Sequence, residues 1–168
     1  MLAAIRHGWD RLTGNEVAGD DPFSIVMLLR EWAPRDEAAL RAAVERAYSG
    51  KEVVFLGSKG AVTLVKVGVE LLSLIQVPRR YDLEMPEHEI LDALDDEAQR
   101  NAWRAHRAWM AIDTVGRKIR RKEGYGMLAR TALALGDANC CGIYFPRDGG
   151  VRANDGSAET ALRQLVEE

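Results

Sequence analysis

Residues 23–29 read Phe-Ser-Ile-Val-Met-Leu-Leu, and this nearly continuous apolar run decides the fold class. A strand with one face in water alternates apolar and polar residues, whereas this run hardly alternates. Bounded by turn-forming residues, it therefore predicts a central strand that is covered on both faces. From Pro34 the pattern becomes helical and continues through Tyr48, with Leu40 and Val44 on the apolar side.

Downstream of this helix the chain alternates between strand and helix patterns. A Gly-containing turn at 57–60 joins two short strands into a hairpin, and Pro78 ends the strand that follows. Pro86 is placed to open a helix, and Ser157 is placed to cap the last one. The predicted elements are strands 53–56, 61–67, 69–77, 106–113 and 139–145, helices from Pro86, over 125–135 and from Ser157, and a turn-rich loop over 146–156.

The order of these elements contains a weak internal repeat. Strand 23–29, helix 35–48 and strand 53–56 form one β-α-β unit. The strands and helix between 106 and 145 form a second one. Two such units around a hairpin predict an α+β fold of the ferredoxin-like sandwich type, with a mixed or antiparallel sheet covered by helices.

Length and composition favour one domain over the whole chain, 1–168. The chain has 168 residues, of which 47% are hydrophobic and 29% charged, so a self-sufficient core is feasible. Within it, the α+β core is expected over 22–168. Residues 1–20 are expected to form a helix and loop that pack on that core, because Leu2, Ile5, Trp9 and Leu12 have helical spacing.

Charge and cysteine usage limit the partners and the compartment. The net charge of −3 lacks the basic excess that is typical of nucleic-acid-binding domains, so no nucleic-acid partner is predicted. No apolar run is long enough to span a membrane, and charged residues interrupt the N-terminus before a secretory signal can form. Cys140 and Cys141 are adjacent, which rules out a disulfide framework within one chain. We therefore expect a cytoplasmic protein.

The second half of the chain resembles a family of uncharacterised bacterial domains. The stretches that carry the resemblance are Trp103-Arg104-Ala105-His106-Arg107-Ala108-Trp109-Met110-Ala111-Ile112, Leu128-Ala129-Arg130 and Cys141-Gly142-Ile143-Tyr144-Phe145-Pro146. They cover about a third of the chain, and most of the shared pattern is hydrophobic. The resemblance implies an α+β fold and no particular activity.

His106 is the one histidine whose position suggests chemistry. It begins a predicted strand, where a neutral imidazole can act as a general base, although a hydrogen-bonded structural role is the commoner case. The sequence has no His-Glu-x-x-His and no Cys-x-x-Cys, and Glu87, His88 and Glu89 diverge on a helix. We therefore predict neither a metal site nor a cofactor.

One dense basic cluster precedes a predicted helix and could bind an anion. It consists of Arg117, Lys118, Arg120, Arg121 and Lys122. Cations beside the free N–H groups of a helix start favour phosphate. Arg79 and Arg80 follow another strand and could share the same edge. The alternative is a solvated loop balanced by the acidic run at 92–97.

These observations leave three hypotheses for the function. The first is a non-catalytic interaction or regulatory module that binds a protein partner or a second copy of itself, since strongly apolar strands occur without a polar constellation. The second is a small-anion or nucleotide-binding domain, enzymatic or not, built on the basic cluster with Arg79 and Arg80. The third is a hydrolase that uses His106, Asp113 and Cys140 or Cys141. The first is preferred, and the sequence does not establish that the protein is an enzyme.

Overall fold

The fold was analysed on a computed structural model that describes residues 23–115, 121–147 and 149–167. Over these residues the chain is α+β, with a seven-stranded antiparallel sheet and five helices. The strands are β1 Ser24–Leu29, β2 Val53–Lys59, β3 Val62–Val67, β4 Glu70–Val77, β5 Ala108–Val115, β6 Cys140–Phe145 and β7 Gly150–Ala153. The helices are α1 Glu37–Ala47, α2 Glu87–Asp92, α3 Glu97–Ala105, α4 Arg121–Leu135 and α5 Ser157–Glu167. The expected helix and loop over 1–20 lie outside the described residues.

The strand order is β2-β3-β4-β5-β1-β6-β7, and β1 lies between β5 and β6. Ile25 to Leu29 are all buried, which confirms the prediction of a central strand covered on both faces. The two strands of the first predicted β-α-β unit, β1 and β2, are separated by β5, β4 and β3. The strands of the second unit, β5 and β6, lie on either side of β1.

Each face of the sheet has its own hydrophobic core. On the first face Ile25 and Met27 lie in a core with residues of α1, α4 and α5. On the second face Val26 and Leu28 lie in a core with residues of α2, α3 and the segment 81–85. Alternate side chains of one strand point to opposite faces, so β1 contributes to both cores.

Several predicted elements have different bounds in the structure. The helix predicted from Pro86 is two helices, because the Asp96 side chain accepts a hydrogen bond from the Gln99 N–H at 2.8 Å and starts α3 anew. The predicted loop 146–156 contains the short strand β7. Ser157 does not cap α5 with its hydroxyl, which instead donates to the Ala153 carbonyl at 3.0 Å. No described helix is long and apolar enough to cross a membrane.

Candidate functional site

His106 ends α3 and holds the segment that follows β4. Its ring is fully buried, and Nε2 accepts a hydrogen bond from the Tyr81 N–H at 3.0 Å. Since Nε2 is an acceptor, the proton of the neutral ring is on Nδ1, which donates to the Trp103 carbonyl. Burial lowers the pKa of His106 to about 4, although the hydrogen bond to Trp103 opposes this shift. Both ring nitrogens are therefore occupied, and neither is free to take a proton from a substrate.

Arg80 lies beside His106, whereas Arg79 points to solvent. The Arg80 guanidinium donates to Glu87 Oε1 at 2.7 Å and to the Trp103 carbonyl at 3.2 Å. The hydrogen bond and charge of Arg80 hold the pKa of Glu87 below its usual value. Arg80 thus ties α2 to the end of α3. Arg79 is exposed and makes no hydrogen bond or ion pair with the described residues.

The structure describes only part of the predicted anion site. Arg117, Lys118 and Arg120 lie outside the described residues, Arg121 is the first residue of α4, and Lys122 is exposed in its first turn. The register of β4 and β5 pairs Leu71 with Val115 and Val77 with Trp109. Arg79 and Arg80 follow Val77, whereas the basic cluster follows Val115.

The ends of β4 and β5 that carry these two basic groups are about 20 Å apart, the length of six extended residues. The start of α4 also lies at the far end from Arg79 and Arg80, because the Tyr125 ring packs on Phe23 with centroids 5.2 Å apart and Phe23 accepts from the Thr114 N–H. The strand register thus places the start of α4, with Lys122, at the other end of the strands from Arg79 and Arg80. For Arg117, Lys118 and Arg120, which lie outside the described residues, the shared edge stays a prediction.

The three residue types of the hydrolase hypothesis are not brought together. On β1, Ser24 pairs with Asp113, while Leu29, at the other end of the strand, pairs with Cys140. Asp113 and Cys140 are therefore separated by most of the length of β1. Cys140 belongs to the core of the first face and Cys141 to that of the second. Burial raises the pKa of both thiols, that of Cys140 to about 12.

Asp113 is the most unusual polar residue of the described chain. It lies on the second face between Ser24 of β1 and Ser73 of β4, which are its partners in the strand register. The side chain is 2% exposed, and neither carboxyl oxygen has a hydrogen bond. Burial raises the pKa of Asp113 to about 7; Ser24 lies near enough to oppose that shift without meeting the geometry of a hydrogen bond.

Two hydroxyl groups near Asp113 also lack hydrogen-bond partners. Ser24 Oγ and Tyr144 Oη are also buried without a hydrogen-bond partner. The pKa of Tyr81 is raised by burial and further by Tyr144 and Asp113. The Asp113 oxygens are inaccessible to solvent, so a substrate cannot reach them. These residues therefore form a buried cluster of polar groups without hydrogen-bond partners and not an open catalytic centre. The signal in the sequence was a lone carboxylate inside the apolar run of β5.

Within the described residues, part of the second face is not covered by a helix or loop, and we call this part the wing face. It consists of Val54, Leu64, Leu71 and Val115, which belong to neither core. Val54, Leu71 and Val115 lie in one row across β2 to β5, with the exposed Lys66 between Val54 and Leu71. Val54 and Val115 are each 36% exposed. Helix α3 contacts β1, β6 and β7, so it covers the same face at the other end of the strand order.

A groove of about 290 Å³ runs between α3 and the β6–β7 corner. Its floor is formed by the buried Ala102, Cys141 and Ala153, and the small Ala98 and Ala105 of α3 line its wall. The Cys141 thiol is oriented by the Leu28 and Ala102 carbonyls at 3.3 and 3.4 Å. Its rim is polar and consists of Arg30, Asn101, Asn154 and Asp155. Sequence reasoning missed this groove, because its lining comes from four separate segments.

Among the described residues, no group of three or more His, Cys, Asp or Glu side chains is placed to hold a metal ion. No protein-family model matches the chain, and no curated protein or solved structure matches it either. The resemblance to uncharacterised bacterial domains stays a prediction.

Proposed function

We propose that this protein is a non-catalytic interaction module that binds a second copy of itself through the wing face. The observation that supports this most is the position of Val54, Leu64, Leu71 and Val115. They are apolar and belong to neither core; Val54 and Val115 are exposed, and Leu64 and Leu71 are half-buried. An apolar patch on a sheet that no described helix covers is typical of an interaction surface, because burying it against a partner removes it from water.

The contact is proposed for the face of the wing and not for its edge. Strand β2 is the outermost strand, and its register with β3 shifts between Phe55 and Gly57. Such a β-bulge at an edge twists the backbone away and hinders strand addition. On the face, the one charged side chain within the row is Lys66, whose ammonium needs an acidic partner on the second copy. The second copy would therefore pack against side chains and would not extend the sheet.

Charge favours a second copy as the occupant. The exposed Glu52, Lys59 and Lys66 lie on or beside the wing face. The wing face and its surroundings thus carry both signs, so two copies related by a twofold axis can place Lys66 of one opposite Glu52 of the other. A closed twofold assembly uses the same patch on both copies and leaves neither copy of the patch open.

We also infer a ferredoxin-like core within the sheet. The elements β1, α1, β4, β5, α4 and β6 follow the order strand, helix, strand, strand, helix, strand, and their strands are adjacent in the order β4-β5-β1-β6. In the proposed ferredoxin-like core, the second strand of the first β-α-β unit is β4, whereas the sequence pattern predicts β2 in that place. The hairpin β2–β3 is then an extension that supplies Val54 and Leu64, two of the four residues of the wing face. A cytoplasmic location is part of the same proposal, supported by two free, buried cysteines.

A pair of matched variants tests the proposed interface. Val54→Asp places a charge on the wing face, and Trp32→Asp places the same charge at a residue that is 43% exposed elsewhere. Sedimentation velocity of both variants is compared with the unsubstituted protein. The proposal predicts that Val54→Asp weakens the dimer by about a hundredfold, since a buried unpaired charge costs several kcal/mol, and that Trp32→Asp leaves it unchanged. Equal behaviour of the two variants contradicts it.

A further inference from the structure

We propose that the groove between α3 and the β6–β7 corner binds a small zwitterionic α-amino acid. The inference rests on the charges of its rim. Arg30 and Asp155 line the same groove, yet no ion pair joins them. The Arg30 guanidinium makes no hydrogen bond or ion pair with any described residue. Because the two opposite charges line one groove without forming an ion pair, a ligand that carries both charges can pair with each of them.

Asp155 is held in place and ionised. Its Oδ1 accepts the Ser157 N–H at 3.0 Å, and the hydrogen bonds of Ser157 lower the pKa of this carboxyl. The other carboxyl oxygen remains available as an acceptor. Asn154 beside it is fixed by its own bond, since Nδ2 donates to the Cys140 carbonyl at 2.7 Å and leaves Oδ1 for a ligand. This side of the rim therefore offers acceptors to an ammonium group.

The opposite side of the rim offers donors. Arg30 presents a planar guanidinium, which binds a carboxylate through two parallel hydrogen bonds. Asn101 of α3 adds a side-chain amide. A plain anion would meet the Asp155 carboxylate, and a plain cation would meet Arg30. The zwitterion is the one small ligand class that opposes neither.

The floor limits the size of the ligand. Ala98, Ala102 and Ala105 lie on one side of α3, and the helix approaches β6 closely because residue 142 is glycine. A Cβ at Gly142 would lie 3.1 Å from the Ala102 Cβ. The groove volume of about 290 Å³ is at the lower end of the roughly 300–1,000 Å³ of ligand pockets. An amino acid with a short apolar side chain suits such a floor.

The test is a calorimetric titration of the full chain with L-alanine, propionate and ethylamine. L-alanine carries both charges, and the other two probes carry one each. We expect L-alanine to bind at millimolar concentration or below, and each half-probe to bind at least about tenfold more weakly, since a charged hydrogen bond is lost. Propionate or ethylamine binding as well as L-alanine overturns the proposal, as does the absence of L-alanine binding at about 10 mM.

Matched variants localise the site. Arg30→Gln and Asp155→Asn each remove one charge of the rim, and Asn retains the acceptor for the Ser157 N–H. Arg79→Gln and Asp92→Asn remove the same charges from exposed residues outside the groove. The proposal predicts a loss of at least about tenfold in affinity for the first pair only. Unchanged affinity in the first pair, or an equal loss in the second, overturns it.

Discussion

Ser24 of β1 and Asp113 of β5 lie directly opposite each other in the middle of the sheet, and the polar atoms of both side chains are buried without a hydrogen bond. A buried, unpaired carboxyl is stable only in its neutral form. With a pKa of about 7, Asp113 of the folded protein keeps its proton below pH 7 and has lost about half of it at pH 7. The unfolded chain has already released it, since a free Asp has a pKa near 3.9.

Replacing Asp113 by Asn should stabilise the protein above pH 7. Between pH 4 and 7 the folded state binds one proton more than the unfolded state, so the free energy of unfolding falls as pH rises. The penalty is complete above pH 7, where it is on the order of 4 kcal/mol. Urea unfolding of Asp113→Asn at pH 8 should show this gain, with little difference from the unsubstituted protein at pH 4. The exposed Asp92→Asn serves as the control, and a gain of the same size in it contradicts the assignment.

His106 should contribute a slope of the opposite sign. Its pKa is about 4 in the fold and near 6.5 in the unfolded chain, so the unfolded state binds more protons in this window. Stability from this residue is complete above pH 6.5 and is lost as pH falls towards 4. In the unsubstituted protein, the rise in the free energy of unfolding with pH due to His106 offsets the fall due to Asp113. In Asp113→Asn only the rise due to His106 remains, so it can be measured.

His106→Ala removes two hydrogen bonds that join the end of α3 to the segment after β4. The Tyr81 N–H and the Trp103 carbonyl lose their partner. Urea unfolding at pH 8 should show a loss of about 2–4 kcal/mol. Unchanged stability at that pH would mean that the ring is not a structural support, and would make His106 a candidate general base again.

Gly142→Ala should destabilise the contact between α3 and β6. The added Cβ would lie 3.0 Å from the Arg152 carbonyl oxygen and 3.1 Å from the Ala102 Cβ, so the helix or the strand must shift. We expect a loss of about 1–3 kcal/mol in thermal or urea unfolding. Gly150→Ala is the matched control, since its Cβ meets only the flexible end of Arg152 at 3.7 Å. Equal losses in both variants contradict the role of the close approach.

The two thiols should be inert in the folded protein. Burial raises the pKa of Cys140 and of Cys141, and the thiolate is the reactive form. A thiol probe at pH 8 should therefore label both residues at least about a hundredfold more slowly in the native state than in urea. Rapid native labelling of either one would revive the hydrolase hypothesis.

The central strand could be predicted from residues 23–29, because a short apolar run without alternation is typical of a strand that is covered on both faces. The hairpin after Val53 was likewise predictable from its glycines. The break between α2 and α3 was missed, because the capping role of Asp96 competes with a continuous helical pattern over 86–103. The position of the start of α4, far from Arg79 and Arg80, was not predictable, because strand direction is set by tertiary pairing, which local patterns do not contain.

The candidate sites were less predictable than the fold. Neither the groove nor the wing face leaves a local motif, since each is assembled from segments that are distant in sequence. Asp113 was visible as a carboxylate in an apolar strand. Whether Asp113 has a hydrogen-bond partner depends on the residues opposite it on the neighbouring strands. The strand register determines those residues, and the sequence alone does not contain it.

The mass of the unsubstituted protein in solution tests the proposed interaction module most directly. Sedimentation velocity at pH 7 over about 1–100 µM spans the range in which a specific dimer of modest interface forms. The proposal predicts a dimer whose population rises with concentration and falls when Val54 is replaced by Asp. A single species with the mass of one chain at every concentration would contradict self-association through the wing face.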